Sequence, residues 1–197
     1  LNYGERFQVG SRPALITFDS IQFLATGITN LQDPGAAIAI RAQGQFMKAG
    51  ILTMSMAIPV ASPGFSLQYS GSLSAMDLRA LNGFIETAEQ KRITGGVLQR
   101  ATFAITVASG RAGGTVHAVY RDLTLAVIDK HTRSSAGVAD RLASFIANTF
   151  TIRRTNLPDN SGSVHPGRVA YVRRRNDPFF GFIWFALRSG VGDVVGF

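Results

Sequence analysis

The chain has 197 residues, 46% of them apolar and 16% charged, with a formal net charge of +8 and no cysteine. That length suits one domain with a sizeable core, and the lack of cysteine excludes a disulfide framework and any thiolate metal site. The excess of cations predicts attraction to polyanions: nucleic acid, anionic lipid headgroups or lipopolysaccharide phosphates. No apolar run approaches the ~20 residues of a membrane-spanning helix. The chain starts at Leu1 without a signal-peptide pattern, and the expectation is a C-terminal portion of something longer.

In chain order, Ala14–Leu24 reads as a strand whose apolar parity changes between Ile16/Phe18 and Ile21/Phe23, which calls for a bulge near Asp19-Ser20. Asp33-Pro34-Gly35 is a turn signal, and Ala36–Gln43 alternates Ile38, Ile40 and Ala42 against Ala39, Arg41 and Gln43. Ile51–Val60 alternates most cleanly, with Leu52, Met54, Met56, Ile58 and Val60 on one face. Pro59 argues that this strand ends there or lies at an edge. After Ser62-Pro63-Gly64, Phe65, Leu67 and Tyr69 open another strand. Ser74–Gly83 then reads as a short helix, with Ser74 as N-cap, Asp77 at its third position and Asn82-Gly83 closing it.

Lys91–Lys130 is the stretch around which the rest is organised. Phe103, Ile105 and Val107 share one strand face, with Thr102, Ala104, Thr106 and Ala108 on the other. The turn signal Ser109–Gly114 joins this run to a second, Thr115–Val127, whose parity changes between Tyr120 and Leu123, so a bulge is expected near Arg121-Asp122. The pair predicts a long antiparallel hairpin.

Ser134–Asn148 is the best amphipathic helix, with Val138, Leu142, Phe145 and Ile146 on one face. Phe150–Arg154 reads as a brief strand and Gly167–Arg175 as the last one. Asn176-Asp177-Pro178 signals a helix start, with Asp177 as N-cap and Pro178 at the first position, and Phe179–Leu187 is apolar nearly all round, with Arg173, Arg174 and Arg175 before it and Arg188 after it. Such an element must be buried or lie in a lipid interface. Two readings stand: a helix that plugs the sheet, or an interfacial anchor with Phe179, Phe180, Phe182, Ile183, Trp184 and Phe185 in acyl chains and the arginines on phosphates.

The spacing Leu73-x-x-Met76-x-Leu78-x-x-Leu81-Asn82, then Ile93-x-Gly95, then Gly114 to Tyr120-x-Asp122-Leu123, resembles the C-terminal region of AsmA-like bacterial envelope proteins. So does the ending: a strand Gly167–Arg175, Asp177-Pro178-Phe179-Phe180, and an aromatic helix closing in Leu187-Arg188-Ser189-Gly190. The resemblance runs from about Ser11 to the C terminus. It implies a periplasmic, membrane-associated protein tethered to the inner membrane by an N-terminal helix. It also implies curved sheets with an apolar concave face, which carry or bridge phospholipid between membranes. It transfers no binding-site residues.

No catalytic constellation is legible. His117, His131 and His165 are scattered without metal-ligand spacing, Ser161-Gly162-Ser163 is not a nucleophile elbow, and Gly110–Gly114 lacks the Lys-Ser/Thr of a phosphate loop. Basic pairs and triplets such as Arg153-Arg154 and Arg173–Arg175 suit nucleic acid by charge. Phe179–Leu187, however, is too continuously apolar for a base-stacking platform, so nucleic acid is not the expected partner.

The sequence therefore predicts a β-dominated α+β fold: a curved antiparallel sheet over residues 1–175, with short helices near 74–83 and 134–148, followed by an aromatic helix and tail over 176–197. The expected function is non-enzymatic and needs no cofactor or metal. Phospholipid would lie in a groove lined by Leu52, Met54, Met56, Ile58, Phe103, Ile105 and Val107. The alternative is a fully covered sheet whose C-terminal helix docks an envelope protein partner.

Overall fold

A computed structural model describes residues 1–6, 12–30, 33, 35–62, 64–128 and 152–196. Among these residues nine strands form one antiparallel sheet: β1 (Asn2–Glu5), β2 (Ala14–Thr26), β3 (Ala37–Phe46), β4 (Gly50–Pro59), β5 (Leu67–Leu73), β6 (Met76–Asp77), β7 (Lys91–Ala108), β8 (Arg111–Val127) and β9 (Pro166–Val172). Their spatial order is β1-β2-β3-β4-β5-β7-β8-β9, with β6 paired to β7 off that path. A 3-10 turn (Leu78–Leu81) leads into α1 (Asn82–Glu89), and α2 (Phe179–Val195) ends the described chain. The β-dominated α+β class and the meander are as the alternation predicts. The expected helix at 134–148 lies outside the described residues.

Both parity changes resolve as irregularities where they were expected. In β2 the register against β3 shifts between Asp19 and Gln22, with Ser20 at φ 50°. In β8 Asp122 has φ 58°, opposite register shifts around Gly95. Each irregularity restores the apolar set to the core face. The β7–β8 turn is narrower than the glycine-rich run suggests. Ala108 pairs with Arg111 across Ser109-Gly110 alone, at φ 47° and 76°. Two left-handed residues make the tight turn that matches strand twist, so Ala112–Gly114 belong to β8. Pro59 ends β4 rather than marking an edge, since β4 lies between β3 and β5.

Two local expectations fail for identifiable reasons, and a third holds only in part. Ser74 does not cap a helix, because its hydroxyl accepts from the Ile51 amide at 2.9 Å. Asp77 caps instead, accepting from the Arg79 amide at 2.9 Å. Asn82 does close the 3-10 turn, its amide donating to the Arg79 carbonyl, but it also opens α1: its side-chain amide donates to the Ile93 carbonyl at 2.9 Å and its oxygen accepts from the Ile93 amide at 2.8 Å. The described part of the brief strand expected at 150–154 is not strand. Pairing resumes only as a bridge between Asn156 and Tyr120.

Register divides the sheet into two chemically distinct faces. One cross-strand row runs Ile40, Met56, Tyr69, Ile105, Gly114, Val169, and the next runs Phe23, Ala42, Met54, Gly71, Phe103, Val116, Gly167. The opposite face carries Arg41, Ser55, Ser70, Ala104, Thr115 and Arg168, all exposed. Helix α2 lies on the apolar face. Phe182 and Ala186 are 0% exposed, and the Phe182 ring meets Phe65 edge-on at 5.0 Å and Tyr171 at 5.7 Å.

The sheet curls about this helix. From one side β9 and β8 pack on it, and from the other Glu5 of β1 approaches Arg188 at 3.6 Å. Phe84 of α1 meets Trp184 edge-on at 5.5 Å. Close approach depends on a glycine at each surface. A Cβ on Gly190 would lie 2.7 Å from methyls of Val116 and Val169, and one on Gly167 would lie 2.5 Å from a Val194 methyl.

Candidate functional site

The expected lipid groove is largely occupied by the protein itself. Phe103, Ile105 and Val107 are 8%, 2% and 2% exposed, and Met56 is 4% exposed. Their row neighbours Tyr69, Val116 and Val169 are buried with them, in the same cluster as Phe182, Ala186 and Val194. The physical reason is the landing of α2 on this half of the inner face. Leu52, Met54 and Ile58 are half-buried and pack at the margin of that cluster. The apolar face continues beyond them through half-buried Ile38, Ile40 and Ala42 to Phe23, which is 64% exposed. What stays accessible is therefore a strip on β2–β4, not a trough running the length of the sheet.

Of the two readings of the C-terminal element, the plug describes α2. Phe182 is enclosed, while Phe179, Ile183, Trp184 and Phe185 are half-buried against the core. Arg188 faces inward to protein carboxylates, pairing with Glu89 and approaching Glu5. Phe180 alone among these aromatics is exposed, at 65%. Pro178, not Asp177, is the helix N-cap residue, and it makes no side-chain cap bond. The Asp177 carboxylate is already engaged, accepting from the Tyr171 hydroxyl at 3.0 Å and the Arg174 amide at 2.8 Å. Burial, then this carboxylate, hold the Tyr171 phenol above its usual range.

The turn between β9 and α2 sits at one end of the sheet, where β2, β4, β7 and β9 finish and β3, β5 and β8 begin. Arg173, Arg174 and Arg175 are all exposed there. Arg173 is placed twice: its amide donates to the Gly110 carbonyl at 2.8 Å, and its guanidinium lies 4.1 Å from the centre of the Phe65 ring. Arg111, also exposed, starts β8 beside the same turn. At this end lie three exposed apolar side chains: Ile28 just past β2, Val172 at the end of β9, and Phe180.

Ile28, Val172 and Arg111 are not legible as site residues in the sequence. Val172 directly precedes Arg173, register sets Arg111 opposite Val172, and Ile28 lies at the same end but across the width of the sheet. The predicted set thus separates. Arg173, Arg174, Arg175 and Phe180 come together at the exposed end. Phe182 is enclosed, and Phe179, Ile183, Trp184, Phe185 and Arg188 are half-buried against the protein.

On the outer face a shallow depression of about 420 Å³ crosses β2–β5, lined by Gln22, Leu24, Arg41, Gln43, Thr53, Ser55 and Ser70 among others. It holds one cation and several hydroxyls. Among the described residues no cluster of His, Asp and Glu has metal-binding geometry, and no helix is long and apolar enough to cross a membrane. No protein-family model, curated protein or solved structure matches this chain.

Proposed function

We propose that this domain is a non-enzymatic, lipid-facing module of the AsmA-like, periplasmic kind. It sets the arginine-rich end of its sheet against an anionic phospholipid surface. The observation that carries this reading is the clustering of exposed Val172 and Phe180 with Arg111, Arg173, Arg174 and Arg175 at one end of the sheet, an end that exposed Ile28 shares across its width. Cations near an anionic surface contribute about 1 kcal/mol each. An exposed apolar side chain that becomes fully buried adds about 1.5–3 kcal/mol. The accessible strip through Phe23, Ile40, Met54 and Ile58 offers an acyl chain a place beside the enclosed core. The apolar face of α2 is already committed to that core, which weighs against this helix as the docking element for a protein partner.

Vesicle co-sedimentation tests the reading. Phosphatidylglycerol-containing vesicles should bind the protein and neutral phosphatidylcholine vesicles should not. Arg174→Glu/Arg175→Glu should weaken binding at least tenfold, and Phe180→Ser should weaken it severalfold, all with an unchanged melting temperature. A wild type that ignores anionic vesicles overturns the proposal, as does salt-dependent binding to DNA without vesicle binding.

A further inference from the structure

The three arginines between β9 and α2 are not equivalent. Arg173 is fixed in both backbone and side chain: its amide donates to the Gly110 carbonyl at 2.8 Å, and its guanidinium lies 4.1 Å from the centre of the Phe65 ring. Arg174 is fixed along its backbone alone. Its amide donates to Asp177 Oδ2 at 2.8 Å, and its carbonyl accepts from the Asp177 amide at 3.1 Å. Arg175 makes no hydrogen bond or ion pair among the described residues.

Phe65, in the β4–β5 connection, is itself held. Its carbonyl accepts from the Gly110 amide at 2.8 Å, and its ring meets Phe182 and Phe179 edge-on at 5.0 and 6.0 Å. Gly110 thus ties the two residues together, its amide to Phe65 and its carbonyl to Arg173. Stacking occupies the flat face of a guanidinium and leaves its N–H donors, which lie in the plane of the group, for a ligand. Those of Arg173 meet no acceptor among the described residues. The nearby Asp177 carboxylate is turned to the Tyr171 hydroxyl and the Arg174 amide. A guanidinium held in this way presents a fork that matches two oxygens of a phosphate. It is also ordered before the ligand arrives, whereas the side chains of Arg174 and Arg175 must give up rotamer freedom to bind.

Apolar surface stands beside the fork. Phe179 meets Phe65 on one side and Phe180 at 5.3 Å on the other, and Phe180 is exposed. A free phosphate makes no use of such a neighbour, and a phosphate at the head of an acyl chain does. We infer that Arg173, stacked on Phe65, is the phosphate-recognition residue of this end. It takes the phosphate of a lipid headgroup as a two-pronged donor, while Arg111, Arg174 and Arg175 attract by charge. Phe65 and Gly110 are positioning residues. The inference rests on the lipid-facing reading and deepens it from attraction by charge to recognition of one chemical group.

Lysine substitutions test it at constant net charge, because lysine keeps the charge and loses the fork. The probe is phosphatidylglycerol vesicles, whose only anionic group is the phosphate. In co-sedimentation, Arg173→Lys should weaken binding at least about fivefold. Arg174→Lys and Arg175→Lys should each change it by less than about twofold. All three should keep the wild-type dependence of binding on salt, since the number of cations is the same. Phe65→Leu should reproduce the loss, and Phe65→Leu/Arg173→Lys should bind no worse than Arg173→Lys alone, because the two residues act as one unit. Phe65→Leu also thins the packing on Phe182, so the decisive variant is Arg173→Lys, whose melting temperature should equal wild type. If the wild type binds the vesicles and Arg173→Lys binds equally well, the inference falls and the lipid-facing reading stands. The same holds if the three lysine variants lose binding equally. A wild type that ignores the vesicles overturns both.

Discussion

The Tyr69 hydroxyl, from the middle of the sheet, donates to the Ile183 carbonyl of α2 at 3.1 Å. Burial holds that phenol above its usual pKa, so the group remains a donor throughout the working pH range. Tyr69→Phe keeps the ring and removes one bond. Urea unfolding should show a loss of about 0.5–1.5 kcal/mol with no change in m-value. A larger loss with a changed m-value would mean that α2 detaches rather than loosens.

Gly167 of β9 should tolerate no side chain. A Cβ there would run into the Gly190 carbonyl of α2 and lie 2.5 Å from a Val194 methyl. Backbone has to move to accept it. Gly167→Ala is expected to cost at least the 1–3 kcal/mol typical of overpacking, about 2 kcal/mol or more. Gly113→Ala on the same sheet meets nothing within 4 Å and serves as the control. Thermal melts of the two variants should separate clearly.

Glu5 is expected to set a pH dependence of stability. Burial pushes its carboxyl above the usual range, and Tyr3, Arg188 and Trp184 pull it only part of the way back. A raised folded pKa favours the protonated form. The stability it contributes is fully present below the ordinary glutamate pKa and is lost as pH rises through the raised value. At neutral pH the wild type therefore carries an ionisation cost that Glu5→Gln does not. The variant should melt higher at pH 7, and the difference should close on acidification. A variant that is less stable at pH 7 would show that the approach of Arg188 outweighs burial.

Asn156 should matter more than its place in a loop suggests. It is 4% exposed. Its side chain donates to the carbonyls of Ala118 at 2.8 Å and His165 at 3.0 Å, and accepts from the His165 amide at 3.1 Å. Asn156→Leu leaves those backbone groups without partners, at about 1–3 kcal/mol each where they stay dry. Hydrogen exchange should accelerate at Ala118–Tyr120 and at His165 in the variant, and stay unchanged in β3 and β4.

Strand parity was readable because it is a local property. Phe103, Ile105 and Val107 alternate with Thr102, Ala104 and Thr106 whatever lies above them, and the bulges near Ser20 and Asp122 follow from where that alternation slips. Caps were less readable, because a side chain can be claimed from a distance. Ser74 serves Ile51, Asn82 clasps Ile93, and Asp177 is held by Tyr171 and Arg174; none of these partners is apparent from spacing alone. The cover over Phe103 was the least readable, since it depends on how closely α2 can approach. Gly167 and Gly190 set that distance from segments that look unremarkable in isolation. Likewise Arg111 and Val172 become neighbours only through register.

The element that covers the inner face follows all the described strands in sequence. During synthesis the rows through Tyr69 and Phe103 leave the ribosome well before Phe182 and Ala186 do. Until then the nascent sheet presents an uncovered apolar surface, together with long β pairings that form slowly. A chaperone that holds extended apolar chains should therefore capture this protein while it is being made and release it once α2 has docked.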